Sequence, residues 1–204
     1  MPSTVSYLFN KARVKIIDRA KWGYNIDQDE SKYPGIYIVS LTDDESKSNN
    51  LLENAPLSEI KVKYWIKKVP TIELDKKPNP SVDAIISRLS EFWLSDENIL
   101  YIGMTTKKIN QRIKQYYTTE LGDKRPHAGG CWIKTLTNLN NLYIYYGKCN
   151  NPKEVEDFML ELFIKNVSTY SLSKLRDPNR PFPFANLEYP KGNKKNHAIG
   201  KSKL

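Results

Sequence analysis

Two short runs of β-branched and aromatic residues, Gly35-Ile36-Tyr37-Ile38-Val39 and Ile99-Leu100-Tyr101-Ile102-Gly103, constrain the fold of this chain most. Each has the length and composition of a strand. The Tyr33-Pro34-Gly35 turn opens the first, predicted over 35–41. Leu142-Tyr143-Ile144-Tyr145-Tyr146 predicts a third strand. After the second strand, Thr105 and Thr106 offer caps for a helix through about Tyr117, with Ile109, Ile113 and Tyr116 or Tyr117 on one face. Pro152 occupies the first position of a later helix. There Val155, Phe158, Met159, Leu162 and Phe163 form an apolar stripe.

The other segments are weaker in pattern. Residues 4–20 predict a short helix. The polar stretch after 41 reads as a loop. Alternation of Ile60, Val62, Tyr64 and Ile66 predicts strand within 58–74, broken at Pro70. Ser81 caps a helix carrying Val82, Ile85, Ile86, Leu89, Phe92 and Trp93. Gly129-Gly130 is a joint before a short helix over 132–139. Beyond Val167 the chain turns irregular and proline-rich. This order predicts an α+β fold in one domain, with three core strands sharing a sheet. The core covers 33–41 and 99–170, an insertion covers 42–98, and a C-terminal extension covers 171–204.

Charge narrows the partner. A net charge of +9 and a pI near 9.3 point to an anionic partner, nucleic acid first. Lys107, Lys108, Arg112, Lys114, Lys124 and Arg125 crowd one stretch, opposed by Glu120 and Asp123. The tail adds Lys194, Lys195 and Lys201 around His197. No run of apolar residues is long enough to span a membrane, and the first residues lack the order of a signal peptide. Cys131 and Cys149 make no disulfide scaffold, and with two histidines they make no zinc pattern. These features predict a protein of the cytoplasm with no membrane contact.

In this setting Gly35-Ile36-Tyr37, Tyr101-Ile102-Gly103, Arg112 on the next helix and Tyr116 one turn later resemble the GIY-YIG nuclease family, and the compact restriction endonucleases within it. The resemblance covers about 35–41 and 99–166; the gap between the two tripeptide motifs is far longer than is usual. It implies a small, mainly antiparallel sheet flanked by helices, and Mg²⁺- or Mn²⁺-dependent hydrolysis of double-stranded DNA. Tyr37 would be the general base or hold the water, Tyr101 would orient water or phosphate, and Arg112 would grip the phosphate. Tyr116 stands where the family places a histidine or tyrosine. Glu156 would bind the metal, with Glu161 in reserve; by position on the helix, Glu154 and Glu156 border the apolar stripe about equally. His127, in Arg125-Pro126-His127-Ala128-Gly129-Gly130, would act near the leaving group. Asn186 resembles the asparagine that closes many such domains and braces the site. Lys107, Lys108, Lys114, Lys124, Arg125, Lys194 and Lys195 would contact DNA, and a homodimer would cut both strands.

Overall fold

The three aromatic runs form strands that share one sheet. A computed structural model describes residues 2–123 and 130–201. The chain opens with helix α1 (Val5–Lys11), capped by the Thr4 hydroxyl on the Tyr7 N–H. Strands β1 (Asp18–Lys21) and β2 (Gly35–Ser40) follow. The insertion supplies α2 (Glu59–Lys68), β3 (Ile72–Leu74), β4 (Lys77–Pro78) and α3 (Val82–Ser90). Then come β5 (Ile99–Thr105), α4 (Ile109–Thr118), β6 (Tyr143–Lys148), α5 (Pro152–Asn166), α6 (Thr169–Lys174) and β7 (Ile199–Lys201).

The fold is α+β with two antiparallel sheets, ordered β1-β6-β2-β5 and β4-β3-β7. The expected three-stranded sheet therefore has a fourth strand. β1 begins inside the segment predicted as helix, because its polar sequence, Asp-Arg-Ala-Lys, carries little strand signal until β6 pairs with it. Residues 59–68, predicted as strand, are helical. Val62 and Trp65 point inward while Ile60 is 82% exposed, so the buried spacing is that of a helix. Thr105 ends β5 rather than capping α4; its hydroxyl accepts the Lys107 N–H. The segment after Cys131 forms 3₁₀ turns, Cys131–Thr135 and Leu139–Asn141. The stretch beyond Val167, predicted as irregular, contains α6 and β7.

The larger sheet separates two apolar layers. Ile36, Ile38 and Ile102 pack with α1 and with Met159, Leu160 and Phe163 of α5. Tyr37, Val39 and Tyr101 face the other way, toward α4, Trp132 and the insertion. The insertion shares this second core and does not stand apart from it.

Candidate active site

Strand register places the aromatic residues. Tyr37 lies opposite Gly103, and Val39 opposite Tyr101. Tyr101 and Gly103 share a face because side chains alternate along a strand. The two tyrosines are thus diagonal neighbours on one face, with ring centroids 6.0 Å apart. Gly103 makes the room. A Cβ there would lie 2.5 Å from Tyr101 Cε1 and 2.9 Å from Tyr37 Oη. Gly103→Ala is therefore expected to cost about 1–3 kcal/mol and to push the rings apart, seen as a lowered Tm and altered tyrosine near-UV dichroism.

Gly35 has an equivalent role for the helix. A Cβ at Gly35 would meet Ile109 Cδ1 at 2.6 Å and the Gly147 carbonyl at 2.2 Å. Its absence lets α4 sit against β2, where the Ile109 N–H donates to the Tyr33 carbonyl at 3.1 Å. That seating delivers Arg112 to Tyr37, which it reaches by charge and by a hydrogen bond. Tyr116 follows one turn later, fully buried, with centroids 5.4 Å from Tyr101 and 6.4 Å from Tyr37. Its hydroxyl donates to the Gly130 carbonyl at 2.6 Å. Gly130 adopts a left-handed φ of 71° and has no Cβ to strike that hydroxyl. Tyr116 is thereby a brace behind Tyr101 rather than a surface group.

β5 is the sheet edge, and its outward backbone groups are met in succession. The Ala185 N–H donates to the Leu100 carbonyl at 2.9 Å. The Asn186 side chain accepts the Ile102 N–H at 2.9 Å and donates to the Ile102 carbonyl at 2.8 Å. At Met104 the backbone N–H draws on the carboxylate of Glu156. Asn186 thus braces the strand that carries Tyr101. The same edge brings Glu156 round from α5 to the tyrosine side.

Burial dominates the electrostatics. It pushes the Glu156 carboxyl up to about 7, against the charges of Lys153 and Arg112. It pushes the Tyr37 phenol up to about 12, opposed by the Arg112 charge and by hydrogen bonds from Tyr101 and Arg112, while Glu156 reinforces the rise. Burial also raises Tyr101 and Tyr116 well above the ordinary range. Tyr37 is the one of the three whose phenolate has the strongest support.

Tyr101 and Glu156 open onto a cleft of about 590 Å³, also lined by Lys153, Lys191, Lys194 and His197. Tyr37 has no exposed surface and lies behind Tyr101. Glu161 is exposed and accepts the Tyr189 hydroxyl at 2.9 Å. Glu154 is exposed and accepts from the Asn151 amide at 3.1 Å. Of the three glutamates, Glu156 is the one that lines the cleft beside Tyr101. No group of three His, Cys, Asp or Glu side chains stands together among the described residues. A single carboxylate still suits Mg²⁺, which keeps several waters and takes phosphate oxygens as further ligands.

The other predicted DNA contacts divide. Lys107 and Lys108 are exposed and line a hollow of about 310 Å³ with Arg112 and Gln111. Lys114 lines a separate hollow with Tyr24 and Tyr117. Lys194 is exposed on the cleft. Lys195 is not a surface lysine. It is 4% exposed and donates to the Pro183 and Phe184 carbonyls at 2.9 and 3.0 Å, above the rings of Phe92 and Trp132. The two carbonyls and the aromatic rings satisfy the ammonium inside the protein, so Lys195 does not reach the surface as a DNA contact. Lys124, Arg125 and His127 lie outside the described residues. Lys191 belongs to the basic tail already singled out in the sequence; Lys153 was missed, although its place one turn before Glu156 was legible.

No protein-family model, curated protein or solved structure matches this chain. Among the described residues no helix is long and apolar enough to cross a membrane.

Proposed function

We propose that this protein is a metal-dependent phosphodiesterase of the GIY-YIG type, cutting double-stranded DNA in a restriction role. One observation carries the reading: β2, β5, α4 and α5 bring Tyr37, Tyr101, Arg112 and a half-buried Glu156 into one electrostatically coupled cluster. Hydrolysis of a phosphodiester needs an activated water and stabilisation of charge on phosphorus-bound oxygens. Arg112, which lies on the hollow it shares with Lys107 and Lys108 and reaches Tyr37 from there, supplies a planar fork for the scissile phosphate. Tyr101, on the cleft, holds the attacking water. The water's proton passes to the Tyr101 oxygen as the Tyr101 proton passes to phenolate Tyr37. The water oxygen bonds to phosphorus, the P–O bond to the leaving oxygen breaks, that oxygen takes a proton from solvent water in the cleft, and the proton gained by Tyr37 returns through Tyr101 to solvent.

Glu156 would hold Mg²⁺ or Mn²⁺, whose chemistry when bound is to neutralise charge on the phosphate and leaving oxygen. The Glu156 charge opposes ionisation of Tyr37, so Tyr37 works as a base only once that charge is compensated. One cleft cuts one strand, so a double-strand break needs two copies of the chain. The complete burial of Tyr37 favours a second reading, a non-catalytic nucleic-acid-binding protein on the same scaffold.

Supercoiled plasmid with Mg²⁺ decides between them. Nicking followed by discrete fragments is expected, with Arg112→Ala slower by roughly 10²–10³-fold. Plasmid binding with no metal-dependent nicking by the wild type would sink the enzyme. Random degradation, or cutting confined to branched DNA, would replace restriction with a repair or mobile-element role.

A further inference from the structure

The cleft has a wall that comes from far along the chain. Lys191, Lys194 and His197 line the cleft together with Tyr101 and Glu156. This segment is strapped to the insertion. β7 pairs with β3, Ile72 to Lys201 and Leu74 to Ile199. The Asp75 N–H donates to the Ala198 carbonyl at 2.9 Å. Buried Arg88 donates to the His197 carbonyl at 2.9 Å while its fork holds Asp75 at 2.7 and 3.1 Å. The His197 ring stands edge-on to Trp132 with centroids 5.3 Å apart. Its Nδ1 accepts the Ile199 N–H at 3.0 Å, so the neutral ring carries its proton on Nε2. Burial, with the charges of Lys195, Arg88 and Lys194, pushes the ring's pKa down to about 4.

We propose that this strap is a second phosphate subsite of the cleft: His197 donates Nε2–H, and Lys191 and Lys194 bring their ammonium groups, to a backbone phosphate beside the scissile one. The insertion then acts through Arg88 as a positioning element for the strap. The ligand chemistry rests on the phosphodiesterase reading of the same cleft.

A neutral donor and a lysine leave different signatures. A lysine on phosphate releases a counterion; a neutral imidazole does not. Binding of a short fluorescent DNA duplex, followed by anisotropy in Ca²⁺ across a salt series, separates them. Lys194→Ala is expected to reduce the slope of log affinity against log salt by about 1. His197→Ala is expected to weaken binding roughly 5–10-fold at every salt concentration with no change of slope. His197→Gln keeps an amide donor on a side chain of similar reach and recovers most of the loss; thermal melts show that the variants remain folded. Wild-type affinity and slope in both alanine variants would overturn the subsite, as would a His197→Gln protein that binds as weakly as His197→Ala. Plasmid nicking in Mg²⁺ is scored alongside. A wild type that never nicks but shows these binding changes loses the hydrolytic reading and keeps the subsite. Nicking with unchanged binding in the variants does the reverse.

Discussion

Glu156→Gln is expected to slow Mg²⁺-dependent nicking by roughly 10³-fold or more while leaving DNA binding in place. The glutamine matches the carboxylate in shape but brings no charge to a hard cation. Glu161→Gln is the control. It alters an exposed group held by Tyr189 and should cut at close to the wild-type rate. The pH dependence has a definite sign. Burial raises the Glu156 carboxyl from 4.5 to about 7, so below that pH a proton and the metal compete for one site. The Mg²⁺ concentration giving half-maximal rate should rise about tenfold per pH unit below 7 and level off above it. Initial rates across Mg²⁺ series at three pH values measure this. A half-saturating concentration that stays flat from pH 6 to pH 8, or a Glu156→Gln protein that still nicks well, would remove Glu156 as the metal ligand.

The second large effect concerns stability. Glu97, just before β5, is 1% exposed, and both carboxylate oxygens lack a hydrogen-bond partner among the described residues. Burial pushes its pKa from 4.5 to about 8, and the neighbouring Asp96 charge adds to the rise. The folded chain therefore keeps a proton that the unfolded chain releases between these two values. Unfolding free energy falls as pH rises through that window and levels off above about 8. Glu97→Gln removes the titration. The variant should melt close to the wild type near pH 4.5 and become the more stable protein as pH rises. Above pH 8 the gain should reach on the order of 3–5 kcal/mol, or roughly 10 °C in Tm. Thermal melts of both proteins from pH 4.5 to 9 test it. Parallel curves throughout would show that Glu97 does not hold its proton.

The parts legible in the sequence are those whose local signal agrees with their tertiary setting. β2, β5 and β6 are dense in β-branched and aromatic residues, Ser81 caps α3 through the Ala84 N–H, and Pro152 starts α5. The pairing of β2 with β5 across the insertion also follows, since two buried strands on either side of a long excursion need a common sheet. Residues 59–68 misled because Ile60, Val62, Tyr64 and Ile66 alternate by chance of composition. The buried set, Val62, Trp65 and Val69, was the informative one. β1 and β7 are polar or mixed, and only their partners make them strands. The expected site residues divide the same way. Tyr37, Tyr101 and Arg112 sit on elements whose register was readable. The burial of Lys195 was not, because it depends on Phe92 and Trp132, remote in sequence, closing around a lysine in a basic run.

The β3–β7 pairing also sets an order of events during synthesis. The chain emerges from its N-terminus, and local elements form before pairings that close long loops. The tyrosine face and α5 can be in place once the first 170 or so residues have been made. The wall bearing Lys194 and His197 cannot, because β7 joins a strand laid down near residue 72. The elements that carry the tyrosine cluster thus precede the strap in the chain, and the cleft stays open on one side until the strap arrives.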